Sequence, residues 1–145
     1  RGLVNWEHYN DFHQDYKSPS HYVREHIANG DRVVAVGPPY MAAIYHYYTG
    51  GVHYAVQEAI REYQFRLKDG RVIDRMTASE VIPSVDRLKT LVEDGPEGLW
   101  LLADRRLLIP ENHEYSDEMK SYLRVLAQAP DYVGLDGETF AVKIR

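Results

Sequence analysis

Residues 33–36 read Val-Val-Ala-Val, and no other feature of the chain constrains its fold as much. The run has no polar face. A half-exposed strand alternates apolar with polar residues, so a continuous apolar run indicates a strand covered on both sides. Strands of that kind belong to parallel sheets, whose crossover helices cover both faces. Gly37-Pro38-Pro39 ends the run.

The flanking segments supply the crossovers. Ser18-Pro19 reads as an N-cap followed by proline at the first helical position, with Tyr22, Val23 and Ile27 on one face and Gly30 as the stop. A second helix is expected from about Tyr40 to Tyr48, broken by Gly50-Gly51, before a strand over Val52–Val56. Ser84 and Ser116 are N-cap candidates for two further helices, the second with Asp117 and Glu118 in its first turn. Leu99–Ala103 repeats the buried-strand pattern, and Asp136-Gly137 marks a C-terminal hairpin. Residues 58–67 fit a helix by composition and a hairpin by alternation, with Asp69-Gly70 as the turn. This order predicts an α/β fold. The expected form is a three-layer α/β/α sandwich with a largely parallel sheet and an antiparallel C-terminal hairpin. Residues 1–17, with Trp6, Tyr9, Phe12 and Tyr16, read as an arm or linker, and residues 18–145 as a single domain.

Composition excludes several functions. A chain of 145 residues forms one domain with a core that needs no covalent staple. It has no cysteine, so disulfides, thiolate catalysis and cysteine-based zinc sites are out. The net charge is −5 and no basic block occurs, which argues against nucleic-acid binding. No apolar run reaches the ~20 residues that span a bilayer. The chain begins at Arg1 without a signal peptide, and the expectation is a segment of a longer polypeptide.

Specific residues then carry a resemblance. Tyr22-Val23-Arg24-Glu25-His26-Ile27 leads into Gly30-Asp31-Arg32-Val33-Val34. An aromatic stretch, Tyr45–Tyr48, follows the first strand. Ile82-Pro83-Ser84 precedes a helix, Trp100 sits in a late strand, and the chain closes on Val142-Lys143-Ile144. Over residues 16–145 this resembles the extramembrane C-terminal domain of membrane-embedded glycosyltransferases of the protein O-mannosyltransferase and lipid A aminoarabinose transferase type. Its motifs are short and mostly structural. The resemblance implies an accessory domain outside the cytoplasm, over a membrane part that uses a polyprenyl-phosphate sugar. The expected partners are that membrane part of the same polypeptide and a glycan or protein acceptor. The resemblance places the catalytic acids among the membrane helices, so no catalytic residue carries over to this chain.

Candidate ligand contacts are Tyr40, His46, Tyr47, Asp104 and Arg105. Tyr40 follows the first strand, where α/β sheets bind ligands, although two prolines there remove backbone donors and suit a stiff turn. Asp104, Arg105 and Arg106 follow the Leu99–Ala103 strand and could grip a sugar hydroxyl or an anion; a solvated charge cluster is the simpler reading. His46, His53 and tyrosines 45, 47, 48 and 54 form the densest unusual patch, suited to packing, an interface or sugar stacking. No metal or cofactor motif and no nucleophile signature is present. The alternative to the accessory domain is a free-standing ligand-binding domain whose pocket lies at the strand C-terminal edge.

Overall fold

The computed structural model describes residues 14–59 and 65–145. Most of the arm, including Trp6, Tyr9 and Phe12, lies outside the described residues. In chain order the elements are α1 (Lys17–His26), β1 (Arg32–Val36), α2 (Pro39–Thr49), β2 (Tyr54–Val56), β3 (Phe65–Lys68) and β4 (Arg71–Asp74). They continue with β5 (Glu80–Ile82), α3 (Val85–Asp94), β6 (Leu99–Asp104), α4 (Asp117–Leu126), β7 (Tyr132–Val133) and β8 (Thr139–Lys143). The fold is α/β, with one eight-stranded mixed sheet of order β3-β4-β5-β2-β1-β6-β8-β7.

The valine run does what its pattern demands. β1 lies mid-sheet, parallel to β2 on one side and β6 on the other. Its alternate residues enter two cores. Val34 and Val36 pack with Leu88 and Leu91 of α3 and Met119 and Leu123 of α4. Val33 and Ala35 pack with Val23 of α1 and Met41, Ala42 and Tyr45 of α2. Burying each large side chain contributes about 1.5–3 kcal/mol, so a one-residue slip of β1 would exchange both sets at once.

The sheet is parallel only at its centre, from β5 through β2 and β1 to β6. The expectation of a largely parallel sheet needs that correction, and the segment left open between helix and hairpin is the reason. β3 and β4 form an antiparallel hairpin closed by Lys68 and Arg71. Asp69 (φ 53°) and Gly70 (φ 75°) both take left-handed conformations, as a two-residue type I′ turn requires. At the other edge β8 runs antiparallel to β6, and β7 to β8.

Helix starts divide into expected and unexpected. Ser84 accepts from Arg87 N, and Ser116 from Met119 N, as N-caps. The first helix differs. It begins at Lys17, and the Ser18 N–H donates to Asp15 Oδ1 at 3.1 Å, so Asp15 performs the capping expected of Ser18. Asp15 and Tyr16, at the end of the segment read as an arm, are buried in the domain. Among the described residues, no helix is long and apolar enough to cross a membrane.

Candidate functional site

The β1–α2–β2 crossover leaves β1 toward one side of the sheet, while α3 delivers β6 to the other side of β1. The chain therefore switches direction between β1 and β6, and the strand ends there are the expected ligand crevice. Extending the β1–β2 register by one residue and the β1–β6 register by two sets Gln57, Gly37 and Asp104 side by side. By strand alternation all three face α1 and α2. Gly37 has φ 151°, and a Cβ there would lie 2.9 Å from Met41 Cβ. Glycine thus lets α2 start directly over β1. Gly37, Pro38 and Pro39 are buried, which makes this loop a packed turn rather than an open cradle.

A polar network ties this edge together. The Asp104 carboxylate accepts from the backbone N–H of Arg106 at 2.9 Å and from its guanidinium at 2.8 Å. The same guanidinium donates to Asp136 Oδ2 at 2.9 Å. Asp136 also accepts from the N–H groups of Asp15, Glu138 and Thr139 and from the Thr139 hydroxyl. Asp15 Oδ2 in turn accepts from Leu135 N at 2.7 Å. One cluster thus joins the start of α1, the end of β6 and the β7–β8 turn.

Burial opposes the charge on Asp136, but the N–H groups of Thr139 and Glu138 outweigh it and hold its pKa below the ordinary 3.8. The hydrogen bond that Arg106 donates to Asp104 raises Arg106 further above its already high value. Both carboxylates are taken up by structural donors, so the cluster works as a clamp.

The candidate residues separate in space. Asp104 is buried, and its partner is Arg106, not Arg105. Arg105 is exposed, with its guanidinium 5.6 Å from the ring of Phe140, a residue of the core on the opposite face. Tyr40 is 59 % exposed at the start of α2. It is close enough to Tyr16 to influence it: burial first, then Asp104 and Tyr40, push the Tyr16 phenol well above its ordinary range.

Sequence reading missed Tyr16, Asp15, Arg106 and Asp136 as a unit, because their contacts span up to 121 residues. It also gave no role to Gln57. Both polar ends of the buried Gln57 amide, and the buried Tyr45 hydroxyl, have no hydrogen-bond partner among the described residues. They lie on the same face of this edge, and buried polar groups of this kind mark a place where water or ligand atoms complete the bonding.

His46 and His53 serve the backbone. His46 Nδ1 accepts from Val52 N, and His53 Nδ1 accepts from Val33 N, each at 3.0 Å. An N–H can only donate, so both rings carry their proton on Nε2 in this arrangement. Burial, then Arg32 and His46, lower the pKa of His53 below the ordinary 6.5. As pH falls, the unfolded chain binds this proton first. The stability that depends on neutral His53 is therefore full above about pH 7.5 and declines as pH drops through 6.5 toward the folded value. Urea midpoints of the wild type should fall between about pH 7.5 and 5.5. His53→Asn, which keeps an acceptor that does not titrate, should flatten this slope; identical slopes in the two proteins would refute the assignment.

Tyr47 lies about two turns along α2 from Tyr40 and is 78 % exposed. With Gln14, Tyr16, Lys17, Ala43, Ile44 and Tyr48 it lines a groove of about 270 Å³ between the start of α1 and α2. A second, more polar groove of about 490 Å³ lies along β4, β5 and the start of α3. There Glu80 bridges Arg87 at 2.8 Å and Arg71 at 3.6 Å, so the two cations are already engaged. Among the described residues no group of three His, Asp or Glu side chains is placed to hold a metal ion. Comparison of the chain with protein-family models, curated proteins and solved structures gave no match.

Proposed function

We propose that this chain is a non-catalytic, extracytoplasmic accessory domain of a membrane glycosyltransferase that uses a polyprenyl-phosphate sugar, built as a three-layer α/β/α sandwich. One observation supports the reading above others. The two motif elements that carry the resemblance, the Gly30-Asp31 turn and the tryptophan of the late strand, meet in space. Asp31 Oδ2 accepts from Trp100 Nε1 at 3.1 Å and from Ala28 N at 2.9 Å. A hydrogen bond between residues 69 apart gives a physical reason for both elements to occur in one domain type. The engaged carboxylates at the strand ends agree with chemistry located elsewhere in a longer polypeptide.

The test compares the 145-residue chain with the polypeptide encoded by its full reading frame. Membranes containing the latter should transfer sugar from a polyprenyl-phosphate donor, and the isolated chain should not. Turnover by the isolated chain, or a full reading frame without membrane helices, would sink the proposal.

The alternative, a free-standing ligand-binding domain, draws on the unpartnered Tyr45 hydroxyl and Gln57 amide at the strand edge. It no longer includes Arg105, whose guanidinium faces the other core.

A further inference from the structure

We propose that the cleft lined by Gln14, Tyr16, Lys17, Ile44, Tyr47 and Tyr48 binds a pyranose ring. Three of its lining residues are tyrosines. Tyr47 and Tyr48 meet edge to face, with centroids 5.2 Å apart and planes at 73°, so together they present two nearly perpendicular surfaces. Tyr48 is braced from behind by His21, edge-on at 5.7 Å, and Tyr16 by Tyr45, edge-on at 5.4 Å. The braced rings are largely preordered, and a tyrosine has only two side-chain torsions to fix, so little freedom is lost on binding.

The chemistry of the lining selects among ligands. A hydrocarbon chain would cover the tyrosine hydroxyls and the Gln14 amide without giving them partners, which is unfavourable. An anion would meet one lysine and no arginine fork. A pyranose presents C–H groups on its ring face and hydroxyls around its rim. It can stack on an aromatic wall while its hydroxyls reach the Tyr47 and Tyr48 phenols and the Gln14 amide. At about 270 Å³ the cleft lies near the lower end of ligand-pocket sizes, which suits one sugar ring or the end of a glycan. Tyr47 at 78 % exposure is a large aromatic surface left to solvent, as expected of an open stacking platform.

The inference rests on the preceding reading only for the origin of the sugar, an acceptor glycan or the head of a lipid-linked donor. The test uses the 145-residue chain and methyl pyranosides, with saturation-transfer NMR and amide-shift titration. At least one pyranoside should receive saturation at its ring C–H protons with millimolar affinity. Tyr47→Ala should weaken binding about tenfold, the loss of one stacked ring. Leu67→Ala, at an exposed position of the edge strand β3 away from the cleft, should leave it unchanged. Displacement by a polyprenyl-phosphate sugar in vesicles, but not by vesicles with polyprenyl phosphate alone, would assign the donor; binding without such displacement would assign an acceptor glycan. Absence of saturation transfer with every pyranoside, or transfer that survives both Tyr47→Ala and Tyr48→Ala, overturns the proposal. Either result leaves the transferase assay of the longer polypeptide to be judged separately.

Discussion

Replacing Asp136 by alanine is expected to cost about 3–5 kcal/mol of folding stability, since several buried donors lose their acceptor at about 1–3 kcal/mol for each group left unpaired. For a domain of this size that corresponds to a fall in Tm of roughly 10–15 °C. The side chain is 2 % exposed and accepts from five donors: the backbone N–H groups of Asp15, Glu138 and Thr139, the Thr139 hydroxyl and the Arg106 guanidinium. Alanine leaves the three N–H groups and the Thr139 hydroxyl in place without the carboxylate that accepts from them. Arg106 keeps Asp104, so the loss is concentrated at the β7–β8 turn and at the start of α1. Asp136→Asn retains one oxygen and should lose about half as much. Acid should mimic the substitution. The folded pKa lies below 3.8, so the contribution of Asp136 is complete above about pH 5 and is lost as pH falls through the folded value. Urea unfolding of the wild type and Asp136→Ala at pH 7 and pH 3 checks both points. Two curves that stay equally far apart at the two pH values would show that the carboxylate charge is not responsible.

Gly98→Ala should be nearly as damaging, for a steric reason. A Cβ at Gly98 would lie 1.6 Å from Asp31 Oδ1 and 2.4 Å from its carboxyl carbon, far inside contact distance. Either Asp31 moves or the β6 entry moves. If Asp31 moves, Trp100 Nε1 and Ala28 N lose their shared acceptor. The backbone bond from Ala28, together with the indole bond, outweighs burial and holds Asp31 below the ordinary carboxylate value, so its charged form is built into the fold. Losing those bonds costs about 1–3 kcal/mol for each buried group left unpaired, with strain added.

Two substitutions at Asp31 separate the causes. Asp31→Ala removes the acceptor without a clash and should cost roughly 2–4 kcal/mol. Asp31→Asn can keep both bonds, because both donors use the same oxygen, and should cost about 1 kcal/mol or less. Thermal melts of the three variants should rank Asn as mildest. Tryptophan emission should shift in Gly98→Ala and Asp31→Ala but not in Asp31→Asn. If Asn proves as damaging as Ala, the charge rather than the hydrogen-bond geometry holds this junction.

Local patterns were legible wherever the force is local. The unbroken apolar run at 33–36 required two covered faces, and β1 lies mid-sheet with helices packed on both. Ser84 and Ser116 cap helices because a hydroxyl reaches the N–H three residues on, whatever surrounds it. Asp69-Gly70 and Asp136-Gly137 turn the chain because Gly70 and Gly137 accept positive φ without a Cβ clash. The Ser18 cap failed because Asp15, one turn earlier, offers a charged acceptor that the β7–β8 turn holds in place.

The site was legible only as a location. The strand ends near Tyr40 and Asp104 could be named from the order of elements, and Tyr47 from the density of tyrosines. Which neighbouring arginine turns toward Asp104 could not, since Arg105 and Arg106 are equivalent in sequence and differ only in the face each meets after β6 ends. His53 shows the same limit: its ring is spent on the N–H of Val33, twenty residues earlier and in the neighbouring strand.

The sequence by itself determined the four helices, the buried strands β1, β2 and β6 and the C-terminal hairpin, because periodicity, capping and turn conformation act within a few residues, while β3 to β5 stayed open between helix and hairpin or unread. The tertiary structure alone decided the partners of Asp136, Asp31 and Arg106 and the pairing of Tyr47 with the start of α1 across the cleft. Those choices depend on directions in space between residues 30 to 121 positions apart, which no local pattern encodes.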